Sequence, residues 1–268
     1  MKVVYLGKRK IKVLAAAAMA LVLVALAVFL WQAPSTAVSA AQNKQIPVYC
    51  VSTEEKKVSV TFDASWGNEQ TEGILDLLDQ YNVKATFFLV GYWVDAYPEQ
   101  VKMITERGHE IGNHSSTHPH MAGLSRDQIL TEIGNTNDKI TALTGQKIDL
   151  FRPPYGEWDE NLVKVCRDAG YQVIQWNIDS LDWKGTTADE MVSRVQKKLE
   201  PGSIILFHNN SEHILEGLKA VLEELTSQGY QGVKVSDLIY DDPYTVDHEG
   251  RQFPAGTTPA ATSAAPQA

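Results

Sequence analysis

The run Val58-Ser59-Val60-Thr61-Phe62-Asp63 alternates apolar and polar side chains, and that period of two marks a strand. It ends on a carboxylate, and Ala64-Ser65-Trp66-Gly67 follows where a turn is expected. Working outward, residues 85–90 form an apolar aromatic run and residues 109–113 a shorter one. Residues 149–152, 171–177, 203–208 and 232–235 bring the predicted strands to seven. The intervening segments read as helices. Ser125 with Gln128 and Thr187 with Glu190 have capping-box spacing, in which a hydroxyl and a side chain three residues on satisfy free backbone N–H groups. Gly108, Gly145, Gly170 and Gly229 stand where helical patterns stop. Strand and helix thus alternate through the chain, which predicts an α/β fold, a distorted (β/α) barrel with about seven parallel strands.

In such barrels the chemistry sits at the carboxyl ends of the strands. The polar residues there are Asp63, Asn113 with His114, Arg152, Asp179 with Asp182, and His208. His114 and His118 lie four apart and can converge on one metal ion, or serve as ordinary loop histidines. Asp63 suits a general base towards a metal-bound water, although an Asp after a strand more often closes a turn. Arg152-Pro153-Pro154-Tyr155-Gly156 is a stiff turn that can aim the Tyr155 N–H at a developing oxyanion, or merely place Arg152 against a surface carboxylate. Trp183, beside Asp182, can stack on a sugar or pack in the core. His208 ends an apolar strand, placed either to protonate a leaving amine or to be a buried structural group.

The first 42 residues hold five basic side chains and no acidic one, which leaves 19 basic against 33 acidic in the remainder. That balance argues against a nucleic-acid partner and suits a neutral or cationic polymer. After the basic cluster comes an apolar run from Val13 to Trp31, then the small-residue stretch Ala37-Val38-Ser39-Ala40-Ala41. Residues 1–41 therefore read as a signal peptide or, by the length of the run, a retained N-terminal membrane anchor with its basic end inside. The catalytic part is expected outside the membrane, anchored or secreted. Residues 42–57 read as a linker, 58–241 as one catalytic domain and 242–268 as a disordered tail rich in Ala, Thr, Pro and Ser. Cys50 and Cys166 do not make a disulfide framework, and two unpaired thiols are expected.

In chain order, the segments around Asp63, His114-Ser115-Ser116-Thr117-His118, Arg152-Pro153-Pro154-Tyr155-Gly156, Asp179 to Trp183 and Leu206-Phe207-His208 resemble the motifs of polysaccharide deacetylases of the NodB-homology type, carbohydrate esterase family 4. The wording is most similar to the sporulation-associated clostridial and bacillar branch. The resemblance implies removal of acetyl groups from amino sugars of a cell-wall polysaccharide, peptidoglycan or chitooligosaccharide, by a monomeric enzyme. It implies that Asp63 is the base, that His114 and His118 hold a divalent metal (zinc, with cobalt, nickel or manganese as alternatives), and that Arg152 orients Asp63. Asp182 would pair with the acid His208, Leu206 would line the acetyl pocket, and Tyr155 and Trp183 would contact substrate. One position departs from the family. Ala64 stands where a second acid usually binds the metal, so the third protein ligand is missing unless Asp63, Asp179 or water supplies it. A degenerate member that binds glycan without turnover, and an esterase acting on O-acetyl xylan, are the competing expectations.

Overall fold

The computed structural model describes residues 45–257. Its larger sheet runs β6 (Gln172–Val173), β5 (Leu150–Phe151), β4 (Glu110–Asn113), β3 (Thr86–Leu89), β2 (Lys57–Ala64), β8 (Ile204–His208), β7 (Ile178–Asp179). Every pairing along this path is parallel, and β9 (Gln231–Gly232) joins the start of β2. The seven strands of the path curl into a half-barrel with helices on the outside. The predicted α/β architecture is the observed one.

Strand β2 explains the architecture. It is buried along nearly its whole length, as a central parallel strand must be. Its apolar members Val58, Val60 and Phe62 join the core beneath the helices α1 (Thr71–Gln80), α2 (Gly91–Ala96), α3 (Pro98–Glu106), α6 (Ala188–Lys198) and α7 (Ile214–Ser227). The alternate residues are polar, equally buried and hydrogen-bonded. Ser59 Oγ donates to the Val233 carbonyl at 2.8 Å and Thr61 Oγ1 to the Ile205 carbonyl at 2.7 Å, so neither hydroxyl is left unpaired. Asp63 is the next residue on that inner face.

Helix α4 (Arg126–Thr144) and helix α6 both begin with the expected capping boxes, and Gly145 ends α4 with φ 70°. Helix α5 (Glu160–Asp168) packs Leu162, Val163, Val165 and Cys166 against Phe151 and Val173. Cys50 and Cys166 are free and buried, and burial pushes their thiols up to about 11 and about 12.

Three sequence expectations need correction. The strand expected at 171–177 stops at Val173, and Ile178–Asp179 forms a separate strand against β8. The stretch expected to be a linker is structural: Val48 bridges Ile174, Cys50 bridges Ser203, and Ile46, Val48 and Val51 are buried. Gly202 permits this approach, since a Cβ there would lie 1.9 Å from the Val51 carbonyl oxygen. The tail is folded at its start. β10 (Tyr244–Val246) and β11 (Arg251–Pro254) pair antiparallel, and β11 pairs parallel with β1 (Cys50–Val51), so the two ends of the domain share a small sheet. The buried Gln252 ties it down by accepting from the Tyr240 N–H and donating to the Tyr240 carbonyl. The anchor or signal segment lies outside the described residues. Among those described, no helix is long and apolar enough to cross a membrane.

Candidate active site

The register of β2 against β8 places Asp63 beside His208 and Thr61 beside Leu206. Cα partners in a parallel ladder point to the same side, so the two titratable residues project together at the strand ends, on strands about 4.8 Å apart. Above them opens a cleft of about 640 Å³. Asp63, His114, His118, Tyr155, Asp182, Trp183, Leu206 and His208 all line it, so residues from five strand ends meet there.

Arg152 lies beneath the cleft, fully buried. Its Nη1 donates to Asp63 Oδ1 at 2.8 Å and to Thr61 Oγ1 at 2.9 Å, and its Nη2 donates to the Gln175 carbonyl at 3.0 Å. The guanidinium sits 4.1 Å from the Phe88 ring centroid, a cation–π contact in a dry setting. Phe88 can reach there because Gly112 faces it: a Cβ on residue 112 would lie 2.5 Å from the Phe88 ring. Burial alone would raise the Asp63 pKa, but neighbouring positive charge and the Arg152 hydrogen bond outweigh it and hold the carboxyl below its ordinary value. Burial also pushes His114 down, against the pull of Asp63, so the permanent cation beside Asp63 is Arg152.

His114 Nδ1 lies 2.7 Å from the Arg152 carbonyl, which can only accept. Nδ1 therefore carries the proton, and Nε2 presents a lone pair 3.5 Å from Asp63 Oδ2. His118 has its ring centroid 5.0 Å from that of His114, and its buried Nδ1 has no hydrogen-bond partner. Burial lowers the His118 pKa to about 4, so both imidazoles are neutral ligand forms at pH 7. The donor chemistry suits a cation, but the set is short. Ala64 offers no donor atom, and Asp63 already gives one oxygen to Arg152. Asp179 accepts from the Leu181 N–H, and among the described residues no three His, Cys, Asp or Glu side chains are grouped to hold a metal ion. The three protein ligands of a catalytic zinc site are not supplied by this arrangement.

The opposite wall is a second pair. Asp182 is fully buried, and its Oδ1 accepts from His208 Nδ1 at 2.9 Å and from the Trp183 N–H at 3.0 Å. Its Oδ2 accepts from the His208 N–H at 2.6 Å and from Ser211 Oγ at 2.8 Å. Burial would lower the His208 pKa, but the bond and charge of Asp182 raise it above its ordinary value and favour imidazolium.

Trp66, Tyr155 and Trp183 are more than half exposed around the mouth, although large aromatics are normally covered. Tyr155 takes φ 60° in the turn that the two prolines precede. Sequence reasoning left Trp66 and Ser211 without a role. A bulky aromatic in a strand-end turn was a usable signal for Trp66; Ser211 follows His208 by three residues in an irregular loop and gave none.

Residues 51–174 match the family described as polysaccharide deacetylase. The chain is 39% identical over 172 residues to a peptidoglycan-N-acetylglucosamine deacetylase of Bacillus cereus, covering 64% of this chain and 62% of that protein. It is 33% identical over 201 residues to a peptidoglycan-N-acetylmuramic acid deacetylase of Bacillus subtilis, covering 72% of this chain and 75% of that protein. Among solved structures, a Bacillus anthracis protein described as a carbohydrate esterase family 4 pseudoenzyme superposes with a TM-score of 0.69 at 38% identity, over 72% of this chain and 68% of that one. A mutant of the same protein is described as having restored enzymatic activity.

Proposed function

Because the chain belongs to the polysaccharide deacetylase family, we propose that it is a hydrolase that removes N-acetyl groups from an amino-sugar polymer, peptidoglycan or chitooligosaccharide. The observation that carries this reading is the pair of opposed dyads, Arg152 with Asp63 and Asp182 with His208, joined by the register of β2 and β8. A carboxylate that stays ionised can accept a proton from water attacking the acetyl carbonyl. An imidazolium across the cleft can protonate the departing sugar nitrogen, and Asp182 fixes which ring nitrogen faces the cleft. Leu206, two residues before His208 and on the same face of β8, gives the acetyl methyl an apolar floor, and the Tyr155 N–H is the donor for the developing oxyanion. Trp66 and Trp183 offer faces for sugar rings.

Family membership implies a divalent ion, zinc before cobalt, nickel or manganese, on His114 and His118. The residues here do not complete its shell, and none of the steps above passes through it. The apolar run from Val13 to Trp31 supports placing this domain outside the membrane, anchored or secreted.

A second reading, a glycan binder without turnover, is favoured by Ala64 and by the similarity to a protein described as a pseudoenzyme. The deciding experiment incubates the purified protein with acetylated chitooligomers and muropeptides, with and without zinc or cobalt, and measures acetate and bound metal. Acetate release supports the hydrolase; oligomer binding with no acetate under any condition replaces it with the binder.

A further inference from the structure

We propose that Glu132, on helix α4, is a positioning residue for the histidine pair: it holds residues 114–118 in the backbone shape that sets His118 beside His114. A working histidine is normally oriented by a hydrogen bond on its second ring nitrogen. His114 has one, to the Arg152 carbonyl, but His118 Nδ1 is buried without a partner. Its ring rests on other rings, with Trp66 at 5.5 Å and Tyr155 at 4.5 Å between centroids, both edge-on. With no hydrogen bond on the ring, the aim of His118 depends on these ring contacts and on the backbone that carries it.

That backbone is unusual. Ser115 has φ 71° and His118 φ 56°, left-handed conformations that L side chains adopt reluctantly, so the segment needs outside restraint. Its amides are all occupied. The His114 N–H donates to the Leu89 carbonyl, Ser115 to Asn113 Oδ1 and His118 to Ser115 Oγ. The two in the middle, Ser116 and Thr117, both donate to Glu132 Oε2 at 2.9 Å, while Thr117 Oγ1 donates to Oε1 at 2.9 Å. One turn further along the same helix, Thr136 Oγ1 donates to the Ser115 carbonyl at 2.9 Å. From the other side Gly91 donates its N–H to that carbonyl, and no larger residue fits, because a Cβ there would lie 2.7 Å from Thr136 Oγ1 and 3.0 Å from Ser116 Cα. Among the described residues Glu132 enters no ion pair, so its carboxylate is committed to the loop. It lies 14 residues beyond His118 and does not line the cleft, and the Ser116 and Thr117 groups it binds do not line it either.

The test uses Glu132→Ala and Glu132→Gln in the full chain. Glutamine keeps one acceptor oxygen for the two N–H groups, and the Thr117 hydroxyl can turn to accept from its amide. In Glu132→Ala the Ser116 and Thr117 amides should exchange with solvent about tenfold faster or more, since their acceptor is gone. The ring signals of His118 should shift in nitrogen-15 spectra while amide protection in β2, β3 and β8 persists. Deacetylation should lose kcat about tenfold with KM little changed, as expected when a functional group is misplaced and substrate binding is kept. Glu132→Gln should restore all three readouts to within about threefold of wild type. Unchanged His118 signals in Glu132→Ala, or a loss of protection spread over the whole domain in both variants, overturns the proposal. The exchange and ring-signal readouts need no turnover, so their outcome is independent of whether the protein proves to be a deacetylase.

Discussion

Arg152 Nη1 lies 2.8 Å from Asp63 Oδ1, and both side chains are almost wholly removed from solvent. A pair in that setting need not add net stability, but removing one partner leaves an uncompensated charge in the interior. Arg152→Met should therefore lower stability by ~3–5 kcal/mol in denaturant unfolding. The pH dependence has a definite sign. The folded Asp63 pKa is below its ordinary 3.8, so the wild-type pair contributes stability above that value and loses it as pH falls through the lower folded one. In Arg152→Met this acid-side loss should shrink or invert. An unfolding free energy within about 1 kcal/mol of wild type would contradict the assigned geometry.

Gly112→Ala tests the layer beneath that pair. Its added methyl would stand 2.5 Å from the Phe88 ring, which lies against the Arg152 guanidinium. Overpacking of this kind costs about 1–3 kcal/mol, and here it pushes on the side chain that supports Asp63. The expected outcome is a lower melting temperature together with a larger proportional loss of acetate release than a surface variant of equal stability shows.

His208 and Asp182 give a pH prediction for the reaction. Asp182 raises the His208 pKa above 6.5, so the protonated acid should persist into the neutral range and the rate should fall on the alkaline side of it. Asp182→Asn removes the charge that raises it, and the alkaline limb of kcat/KM should then move to lower pH. The same shift governs stability: the His208 contribution is complete below 6.5 and is lost as pH rises through the folded value. A limb that stays in place in Asp182→Asn would remove His208 from the role of acid.

How much of this was readable beforehand follows from the kind of signal each residue carries. Asp63 and His208 end strands of clear pattern, and strand ends converge in a half-barrel, so their meeting was legible. Arg152 was legible as a strand-end residue but not as a buried one, because sequence does not distinguish a surface pair from an interior one. The polar alternation of Ser59 and Thr61 marked the strand correctly, yet those hydroxyls face the barrel interior, where the Val233 and Ile205 carbonyls accept from them. Glu132 and Ser211 were invisible, since their partners are fixed by tertiary contact. The hairpin after Asp241 does carry a local signal. Tyr244-Thr245-Val246 and Arg251-Gln252-Phe253 flank Asp247 to Gly250, and Asp247 Oδ1 accepts from the Glu249 and Arg251 N–H groups across that turn.

Ala64→Asp addresses the missing ligand. Ala64 is buried at the end of β2, one residue beyond Asp63. A carboxylate there brings the side-chain donors to three if it turns towards His114 and His118, the number a catalytic zinc site normally takes from protein. The expected outcome is zinc affinity at least about tenfold above wild type by calorimetry, abolished by adding His114→Ala. If the new carboxylate instead stays among the apolar neighbours of Ala64, the variant will lose stability without gaining metal, and the position is then not the missing ligand.

Trp66 and Trp183 separate substrate recognition from chemistry. Trp66 follows β2 and Trp183 follows β7, two strand positions apart with β8 between them, and both line the cleft that holds Asp63 and His208. Both rings are more than half exposed, and neither is needed to close the core. A sugar polymer lying across the strand ends would meet one ring on each side of the reacting unit, whereas a small acetylated compound would meet neither fully. Trp183→Ala and Trp66→Ala should each weaken binding of a chitohexaose about fivefold to fiftyfold, in the range of one aromatic contact, and weaken binding of the disaccharide much less. Calorimetry or tryptophan fluorescence on both ligands reads the difference directly. Equal losses for the long and short ligands would mean that these rings shape the cleft and do not grip the polymer.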